Sequence, residues 1–481
     1  MHQFYHTAAN RVSITGSTPF SEISPKSVYF IGIGGIGMSA LARWFFGHKW
    51  SVIGSDIADS DVIQNLKNEG VGVKIGQKKA NIPKNIGLFV YNQAIPPKNE
   101  ELSEAKKRGV PVLSYAEAVG FLTRYYETCA VAGAHGKSTT SSLLSLALLK
   151  GGADPTIIVG TLLKELGNKN FHKGKSDMLV LEADEFHSSF LNYAPRYAVI
   201  TNIDREHLDW YENFGNVKRA FLEFIKNVRS GGYLVLNKDN SNLRSLEKKI
   251  GAISKKNGLT HVWYSLKDAA VKKVRRAMAH IPGEHMVSNA YAAFLLARKL
   301  GVKEKDILSA FRVYHGVWRR MEYKGQIKIK NSKLKIDIYD DYGHHPTEIK
   351  ATLEGAKKHF RGKNILCAFQ PHHGKRLSLL FSDFVKAFDA ADALFLFPVY
   401  SVAGRDKNTT RVTARTLAEH IVKRKKVKEV VYLEHFDGLG AWIEEIVRNG
   451  KLPYRDSVLV MMGAGDIYKE TKKIAMPQRK K

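Results

Sequence analysis

The residues best suited to chemistry lie between Gly133 and Thr139, where the chain reads Gly-Ala-His-Gly-Lys-Ser-Thr. Closely spaced glycines permit a tight turn that aims backbone N–H groups at a phosphate chain, and a helix beginning there adds its dipole. The amine of Lys137 would reach the outer phosphates, and the hydroxyl of Ser138 is a natural magnesium ligand. A standard P-loop has four residues between its glycines, whereas only Ala134 and His135 separate them here. The segment predicts binding of a nucleoside triphosphate; the alternative is a glycine-rich turn with a solvated lysine.

Carboxylate and imidazole groups follow apolar runs downstream of this loop. Met178–Leu181 reads as a buried strand that ends in Glu182, where a carboxylate would hold magnesium beside a P-loop. Tyr197–Thr201 reads as another strand, and His207 follows it. This histidine would reach a second metal ion or a phosphate; alone, it would be a structural histidine. Together these groups predict a metal-assisted phosphate site.

A second glycine-rich loop lies near the N-terminus. A strand at Val28–Ile31 leads into Gly32-Ile33-Gly34-Gly35-Ile36-Gly37, and a helix is predicted over Met38–His48. A second strand, Ser51–Ile53, precedes Asp56. This is a Rossmann-like opening, which indicates a dinucleotide or a nucleotide-sugar phosphate. Asp56 would hold a ribose hydroxyl or be a solvated turn residue.

The last third of the chain repeats the pattern of strands that end in polar loops. Arg319 and Arg320 precede it, and such arginines stabilise developing charge near a triphosphate or lie in a solvated linker. Upstream, His285 and Asn289 are four residues apart and share one helix face. The predicted strands are Ile336–Tyr339, Ile365–Phe369, Ala393–Phe397 and Val458–Met462. Their arrangement predicts a Rossmann-like sheet with a site along one edge.

Charge and length bound the class of protein. The chain has 481 residues, and such a length predicts about two to four domains. Its 75 basic and 46 acidic residues give a net charge of +29, which suits nucleic acid, polyanionic small substrates or a generally basic host. The lysines are dispersed without interleaved aromatic residues, so we expect no nucleic-acid partner.

The cellular setting is also predicted from composition. No apolar run is long enough to span a membrane, and the polar N-terminus lacks the apolar stretch typical of a signal peptide. Cys129 and Cys367 lie in apolar strand-like runs, as core thiols of a reducing cytoplasm do. We therefore expect a cytoplasmic protein without a membrane partner, as a monomer or weak homodimer.

We predict an α/β protein with three domains. Residues 1–22 would form a flexible N-terminal arm, and residues 23–122 a Rossmann-like N-terminal domain. Residues 123–322 would form a central P-loop ATPase-type α/β domain, and residues 323–481 a Rossmann-like C-terminal domain.

Taken in order, the motifs resemble those of the Mur ligase family. The resemblance covers about Ser27 to Lys473, and the glycine loop at residues 32–37 and the segment Asp-Asp-Tyr-Gly-His-His-Pro-Thr-Glu at residues 340–348 are its most specific signals. The matching segments are Gly32–Gly37, Gly133–Thr139, Glu182–Glu185, Thr201–His207, His285–Asn289, Arg319–Arg320 and Asp340–Glu348.

The resemblance implies an ATP-dependent ligase of peptidoglycan synthesis. The N-terminal domain would bind the UDP of UDP-N-acetylmuramate, the central domain ATP and Mg²⁺, and the C-terminal domain would bring L-alanine and close over the nucleotide. The lactyl carboxylate would attack the γ-phosphate to give an acyl phosphate and ADP, and the amine of alanine would then displace phosphate. Closure would exclude water from the acyl phosphate.

The resemblance also implies a role for each matching residue. Lys137 would hold the β- and γ-phosphates, Ser138 and Glu182 one magnesium ion, and His207 a second. His285 and Asn289 would lie near the adenine, Arg319 near the phosphates and Asp340 near the ribose. Tyr342, His344 and Arg376 would surround the amino acid. The implied catalytic residues are Lys137, Glu182, His207, His344 and Arg376. The implied nucleotide loop is Gly133, Ala134, His135, Gly136, Lys137, Ser138 and Thr139, and the implied sugar-nucleotide residues are Gly34, Gly35, Ile36, Gly37 and Asp56.

Some positions depart from the family pattern and leave alternatives open. Serine stands at Ser138 where threonine is usual, and Met286 stands where asparagine is common. His373 replaces an arginine, so a carboxylate contact to the amino acid would fall to Lys375, and glycine or serine remain alternative substrates. A recycling ligase that attaches a whole tripeptide to the same sugar is a further alternative. Two alternatives come from other functional classes. The first glycine loop alone would suit a nicotinamide-dependent oxidoreductase, and the net positive charge would suit a P-loop protein that acts on nucleic acid.

Overall fold

The computed structural model describes residues 20–328, 334–400, 412–449, 452–453 and 455–475. Of the predicted N-terminal arm, residues 1–19 lie outside the described residues. Phe20 is buried, and its ring centroid lies 5.1 Å from that of Phe45. The chain forms two compact units and passes between them after Ala277, after Val287 and after Tyr314.

The N-terminal domain is a Rossmann-like parallel sheet with strand order β3-β2-β1-β4-β5. The glycine loop follows the central strand, so its backbone lies at the carboxyl edge where open α/β sheets bind ligands. The strands are β1 (Ser27–Ile31), β2 (Ser51–Asp56), β3 (Gly72–Ile75), β4 (Leu88–Tyr91) and β5 (Val112–Ser114). The helices are α1 (Ile36–Gly47), α2 (Asp61–Asn68), α3 (Glu100–Lys107) and α4 (Tyr115–Tyr125).

The central domain has a seven-stranded sheet of order β12-β11-β10-β6-β9-β7-β8. Only the β7–β8 pair at one end is antiparallel among the described strands of this sheet. The strands are β6 (Glu127–Ala132), β7 (Thr156–Leu163), β8 (Lys169–His172), β9 (Met178–Ala183), β10 (Tyr197–Ile200), β11 (Tyr233–Asn237) and β12 (Thr260–Tyr264). The helices are α5 (Lys137–Lys150), α6 (Leu208–Tyr211), α7 (Phe214–Lys226), α8 (Ser241–Arg244), α9 (Glu247–Asn257), α10 (Val271–Ala277), α11 (Glu284–Lys299) and α12 (Glu304–Arg312).

A buried polar bridge joins the N-terminal and central domains within their shared unit. The side-chain amide of Asn170 on β8 donates to the carbonyl of Ile36 at 2.6 Å and to Ser39 Oγ at 2.9 Å. Its oxygen accepts a hydrogen bond from Arg43 Nη1 at 2.6 Å. Because buried polar groups are costly when unpaired, this network ties the first turn of α1 to one position against the central sheet.

The C-terminal domain has a six-stranded sheet of order β13-β14-β18-β15-β16-β17, with β13 antiparallel to β14. The remaining strands are parallel, so their carboxyl ends share one edge. The strands are β13 (Glu322–Lys328), β14 (Lys335–Asp341), β15 (Asn364–Phe369), β16 (Ala393–Leu396), β17 (Glu429–Tyr432) and β18 (Ser457–Met462). The helices are α13 (Pro346–His359), α14 (Gly374–Leu379), α15 (Phe381–Ala387), α16 (Ala414–Arg424), α17 (Leu439–Arg448) and α18 (Ile467–Ala475).

The α/β class and the three-domain organisation are confirmed. The predicted limit between residues 122 and 123 falls inside α4, and the second sheet begins at Glu127, so the domain limits themselves stay a prediction. Cys129 and Cys367 are buried free thiols, as expected for core residues. Among the described residues, the helices are all too short or too polar to cross a bilayer.

Candidate functional site

The predicted phosphate loop joins β6 to α5. Gly133 has φ +141° and Gly136 has φ +84°, values that residues other than glycine rarely adopt. A Cβ on Gly133 would lie 2.0 Å from Thr201 Oγ1, and one on Gly136 would lie 2.4 Å from Asn289 Oδ1. Both glycines are therefore required by backbone conformation and by close neighbours.

The loop is also held from outside by the segment after β10. The backbone N–H of His135 donates to Asn202 Oδ1 at 2.9 Å, and its carbonyl accepts from Thr201 Oγ1 at 2.6 Å. His135 Nε2 lies 3.1 Å from Asp204 Oδ2. Ala134 donates its N–H to the carbonyl of Asn202 at 3.2 Å, and Thr139 is buried in the first turn of α5. The turn is thus preorganised by partners that the sequence did not reveal.

Lys137 points back over its own loop. Its Nζ donates to the carbonyl of Gly133 at 2.7 Å and to Glu185 Oε2 at 2.8 Å, with Asp184 Oδ1 at 3.8 Å. Burial lowers the pKa of Lys137, but the attraction of Glu185, Asp184 and Glu182 outweighs burial and raises it above its ordinary value. The amine of Lys137 is therefore a positive charge held beside the phosphate loop.

Ser138 and Glu182 come together as predicted. Ser138 Oγ donates to Glu182 Oε2 at 2.9 Å, and the N–H of Gly160 on β7 donates to Glu182 Oε1 at 2.6 Å. Burial raises the pKa of Glu182, although Gly160, Ser138 and Lys137 each oppose the rise. A hydroxyl and a carboxylate held side by side are two hard oxygen ligands in one place.

His207 lies in a second group, with two carboxylates that were not predicted as site residues. Its Nε2 is 3.8 Å from Glu185 Oε1, and ligand atoms of Asp184, Glu185 and His207 all lie within 4.8 Å of one another. Burial raises the pKa of Glu185, and Lys137 opposes the rise. The run Glu182-Ala-Asp-Glu at a strand end was the available signal, but only tertiary contact shows which carboxylate faces which partner.

These side chains fit divalent cations. Glu185 Oε1 is buried and has no hydrogen bond within the described residues, and such an oxygen is stabilised by a nearby cation. Carboxylate, hydroxyl and imidazole ligands suit Mg²⁺ or a similar ion. The structure therefore separates the predicted metal set into a Ser138–Glu182 pair and an Asp184–Glu185–His207 group.

The first glycine loop is anchored by Asp56. The N–H of Gly34 donates to Asp56 Oδ2 at 2.8 Å, while Asp56 Oδ1 accepts from the N–H of Ile57 at 2.8 Å. A Cβ on Gly35 would lie 2.8 Å from Asn92 Nδ2. In this structure the Asp56 carboxylate orients the loop backbone, and its predicted contact with a ribose hydroxyl stays a prediction. Ile36 and Gly37 open α1, with their N–H groups at its N-terminus.

Arg319 and Asp340 are brought together in the C-terminal domain. Arg319 Nε lies 3.4 Å from Asp340 Oδ2, Nη2 donates to the carbonyl of Gly463, and the guanidinium lies 4.6 Å from the ring centre of Tyr468. Arg319 Nε and Asp340 Oδ1 are buried without hydrogen bonds among the described residues. Burial raises the pKa of Asp340 to about 6, although Arg319 opposes the rise. Buried polar atoms that lack a hydrogen bond within the described residues are suited to bind a polar ligand.

The predicted amino-acid residues lie near the same sheet edge. The rings of Tyr342 and His344 are 5.2 Å apart, and His344 Nδ1 lies 2.9 Å from the carbonyl of Tyr342. His372, whose ring is 5.9 Å from that of His344, stacks on Tyr400 at 5.5 Å. Arg376 lies on the short helix α14 and is partly buried.

His285 and Asn289 lie four residues apart on α11, as predicted. Asn289 belongs to the unit that contains the phosphate loop and contacts Gly136 there. His285 belongs to the other unit, where a Cβ on Gly283 would lie 2.4 Å from its Cε1.

Family models match all three domains. The Mur ligase family catalytic domain matches residues 27–127, the Mur ligase middle domain matches residues 131–297, and the Mur ligase glutamate ligase domain matches residues 319–465. These matches together cover most of the chain, in the order of its three sheets.

Comparisons with individual proteins agree with the family matches. The chain is 36% identical to UDP-N-acetylmuramate–L-alanine ligase from Clostridium botulinum strain Okra, over 94% of this chain and 98% of that protein. It is 36% identical to the enzyme of the same name from Caldanaerobacter subterraneus subsp. tengcongensis, over 95% and 98%. The crystal structure of UDP-N-acetylmuramate-alanine ligase from Thermotoga maritima superposes with a TM-score of 0.72 at 25% identity, over 93% of this chain and 97% of that one. With its three domains matched in order and relatives aligned along nearly its whole length, the chain belongs to the Mur ligase family.

Proposed function

We propose that the protein joins L-alanine to the lactyl carboxylate of UDP-N-acetylmuramate at the expense of ATP. The observation that carries the proposal is the convergence of Lys137, Ser138 and Glu182 at the ends of β6 and β9. The first glycine loop lies in the same unit. Relatives named for this reaction, at 36% identity over nearly the full length, support the same substrates.

The reaction brings two anions together, which dictates the residues needed. Lys137 offsets charge on the β- and γ-phosphates while a carboxylate oxygen of the sugar nucleotide attacks the γ-phosphorus and ADP leaves. Backbone N–H groups of Gly133–Thr139 hold the phosphate chain. The amine of alanine then forms the amide bond at the acyl carbon, and the C–O bond to phosphate breaks. Exclusion of water protects the acyl phosphate meanwhile.

Mg²⁺ would supply the remaining positive charge when bound. Ser138 and Glu182 would hold one ion, and His207 with Asp184 and Glu185 a second. The burial of Glu182 and Glu185 favours occupancy, because each carboxylate has a raised pKa that a bound cation would lower.

The remaining predicted residues complete the proposal. His285 and Asn289 would contact the adenine, Arg319 the phosphates and Asp340 the ribose. Tyr342, His344 and Arg376 would position the amino acid. We place the enzyme in the cytoplasm, as a monomer or weak homodimer, with the domain limits given above.

The test is phosphate release from ATP and Mg²⁺ with UDP-N-acetylmuramate, as single amino acids and the tripeptide L-alanyl-γ-D-glutamyl-meso-diaminopimelate are supplied one at a time. We expect release that requires both the sugar nucleotide and L-alanine. Release with glycine, serine or the tripeptide in place of L-alanine would contradict the proposed acceptor. No release with any acceptor, from protein that binds ATP, would contradict the catalytic assignment.

A further inference from the structure

Tyr115 is the first residue of α4 and lies beside the first glycine loop. The helix start is fixed by a capping box, in which Ser114 Oγ accepts from the N–H of Glu117 and the Glu117 carboxylate accepts from the N–H of Ser114. A residue at such a start has a well-defined position. The backbone of Tyr115 is therefore fixed at the start of α4.

The ring of Tyr115 contacts the first turn of α1 at Gly37. A Cβ on Gly37 would lie 2.8 Å from Tyr115 Cζ and 2.9 Å from its hydroxyl oxygen. No side chain fits between them, so glycine at position 37 lets the phenol reach the N-terminus of α1. Ile36 and Gly37 present their N–H groups at this same turn.

The hydroxyl of Tyr115 is available to a ligand. It makes no hydrogen bond with any described residue, and the side chain is only partly buried. Burial raises the pKa of Tyr115, and the carboxylates of Glu182 and Asp184 raise it further. The group is consequently a neutral O–H donor at neutral pH, and a donor suits an anion.

The same helix faces the central domain. A Cβ on Gly120 would lie 2.6 Å from the carbonyl of Asn192, and the N–H of Ala194 donates to Thr123 Oγ1 at 3.0 Å. Asn192 ends the 3₁₀ segment Phe186–Asn192, which follows Glu182 and Glu185 along the chain. Tyr115 thus lies on the side of the glycine loop that faces the proposed reaction centre, where Glu182 and Asp184 act on its pKa.

We propose that the Tyr115 hydroxyl donates a hydrogen bond to the sugar-proximal phosphate of the UDP-sugar substrate. The assignment rests on the proposed function and deepens it. The N–H groups at the start of α1 bind the diphosphate, and the phenol adds a side-chain donor on the side from which the sugar extends toward the phosphate loop. Tyr115 is then a substrate-binding residue that selects a diphosphate over a monophosphate.

Tyr115→Phe removes the hydroxyl and keeps the ring against Gly37. The matched control is Tyr125→Phe, which removes a hydroxyl from the last residue of the same helix. Calorimetry would measure the affinity of each protein for UDP-N-acetylmuramate, UDP and UMP, with ATP affinity as the test of integrity. Since hydrogen bonds to charged groups are the strong ones, we expect Tyr115→Phe to weaken UDP and the sugar nucleotide about tenfold or more. UMP and ATP should bind as they do to the wild type, and Tyr125→Phe should match the wild type throughout.

The outcomes separate this assignment from the proposed function. Unchanged affinity of Tyr115→Phe for UDP would overturn the assignment of Tyr115 and would leave the proposed function standing. Equal losses for UDP and UMP would also overturn it, because the hydroxyl would then not discriminate the second phosphate. Wild-type protein that bound neither UDP nor the sugar nucleotide would overturn the proposed function itself, and the assignment with it.

Discussion

In the proposed function, Lys137 would exchange its hydrogen-bond partners when a triphosphate binds. In the structure described, its amine satisfies a loop carbonyl and the buried carboxylate of Glu185. Phosphate oxygens would replace these partners, and Glu185 would then need another cation, which a bound metal ion would provide. The carboxylates after β9 therefore balance charge in both situations.

The contact between Ser138 and Glu182 predicts how substitutions at Ser138 change the Mg²⁺ requirement. Ser138→Ala removes a hydroxyl ligand, so half-saturation should require about 10–100 times more Mg²⁺, by analogy with losses of supporting metal partners. Ser138→Thr keeps the hydroxyl and should retain activity. Ser145→Ala, on the same helix with its Oγ bonded to the Ser141 carbonyl, is the control. Magnesium titrations of phosphate release would measure the effect, and equal requirements in Ser138→Ala and Ser145→Ala would rule out the ligand role.

The raised pKa of Asp340 predicts that the stability of the folded protein depends on pH. Its pKa is raised from 3.8 to about 6, chiefly by burial. Between these pH values the folded state binds a proton that the unfolded state does not, so Asp340's contribution to stability should increase as pH falls from about 6 to 4. Thermal unfolding of wild type and Asp340→Asn from pH 7 to 4.5 would measure it. The difference between their melting temperatures should shift in favour of wild type at acid pH; a constant difference would contradict the raised pKa.

At the scale of elements, the loop between β6 and α5 depends on two glycines whose neighbours leave no room. The segment after β10 and helix α11 supply those neighbours, through Thr201 and Asn289. A short sequence motif is thus completed by two distant segments. The consequence is that a small change in the loop should affect the site more than the fold around it.

Replacing Gly133 with alanine tests this dependence. The new Cβ would lie 2.0 Å from Thr201 Oγ1 in a backbone with φ +141°, so the loop must shift. We expect Gly133→Ala to lose ATP binding and to melt at a lower temperature. Gly251→Ala is the control, because a Cβ there meets nothing within 4 Å inside α9. It should stabilise the protein by about 0.5–1 kcal/mol. Normal ATP affinity in Gly133→Ala would contradict the steric argument.

At the scale of the whole molecule, the two nucleotide sites should respond differently to chelation. The first glycine loop offers N–H groups, and the carboxylate of Asp56 beside it accepts from the N–H of Gly34. The phosphate loop, in contrast, lies beside both groups proposed for Mg²⁺. Removal of Mg²⁺ should therefore stop turnover and weaken ATP, but leave UDP-N-acetylmuramate bound.

Ligand-induced stabilisation would measure this difference. A ligand at about one hundred times its Kd stabilises the folded state by about 2.7 kcal/mol. We expect UDP-N-acetylmuramate to raise the melting temperature equally with Mg²⁺ and with EDTA, and ATP to do so mainly with Mg²⁺. Loss of the sugar-nucleotide effect in EDTA would show that our separation of the sites is wrong.

The family matches also decide against the oxidoreductase alternative. The first glycine loop alone suggested a nicotinamide-dependent oxidoreductase. The chain instead matches the models of three Mur ligase domains, and the loop lies in the first of them. The net charge of +29 has no structural account here.

Local sequence determined much of this protein. Strands β1, β2, β9, β10, β14, β15, β16 and β18 were predicted within a few residues, because apolar runs and the glycines that interrupt them are short-range signals. Lys137, Ser138 and Glu182 were likewise predictable, since a loop after one strand and a carboxylate after a parallel neighbour must meet at one sheet edge. The antiparallel edge strands β8 and β13 were missed, as were the short strands β3, β5, β12 and β17.

Tertiary structure alone decided the rest. Whether Glu182 or Glu185 faces Ser138, how Asn170 holds α1, and where the phenol of Tyr115 lies all depend on contacts between segments far apart in the chain. Strand order in the sheets decided them too, because a neighbour's identity is set by crossover connections and not by local pattern. Amino-acid types and spacing therefore specify which reactive groups this protein has, whereas packing specifies which of those groups contact one another.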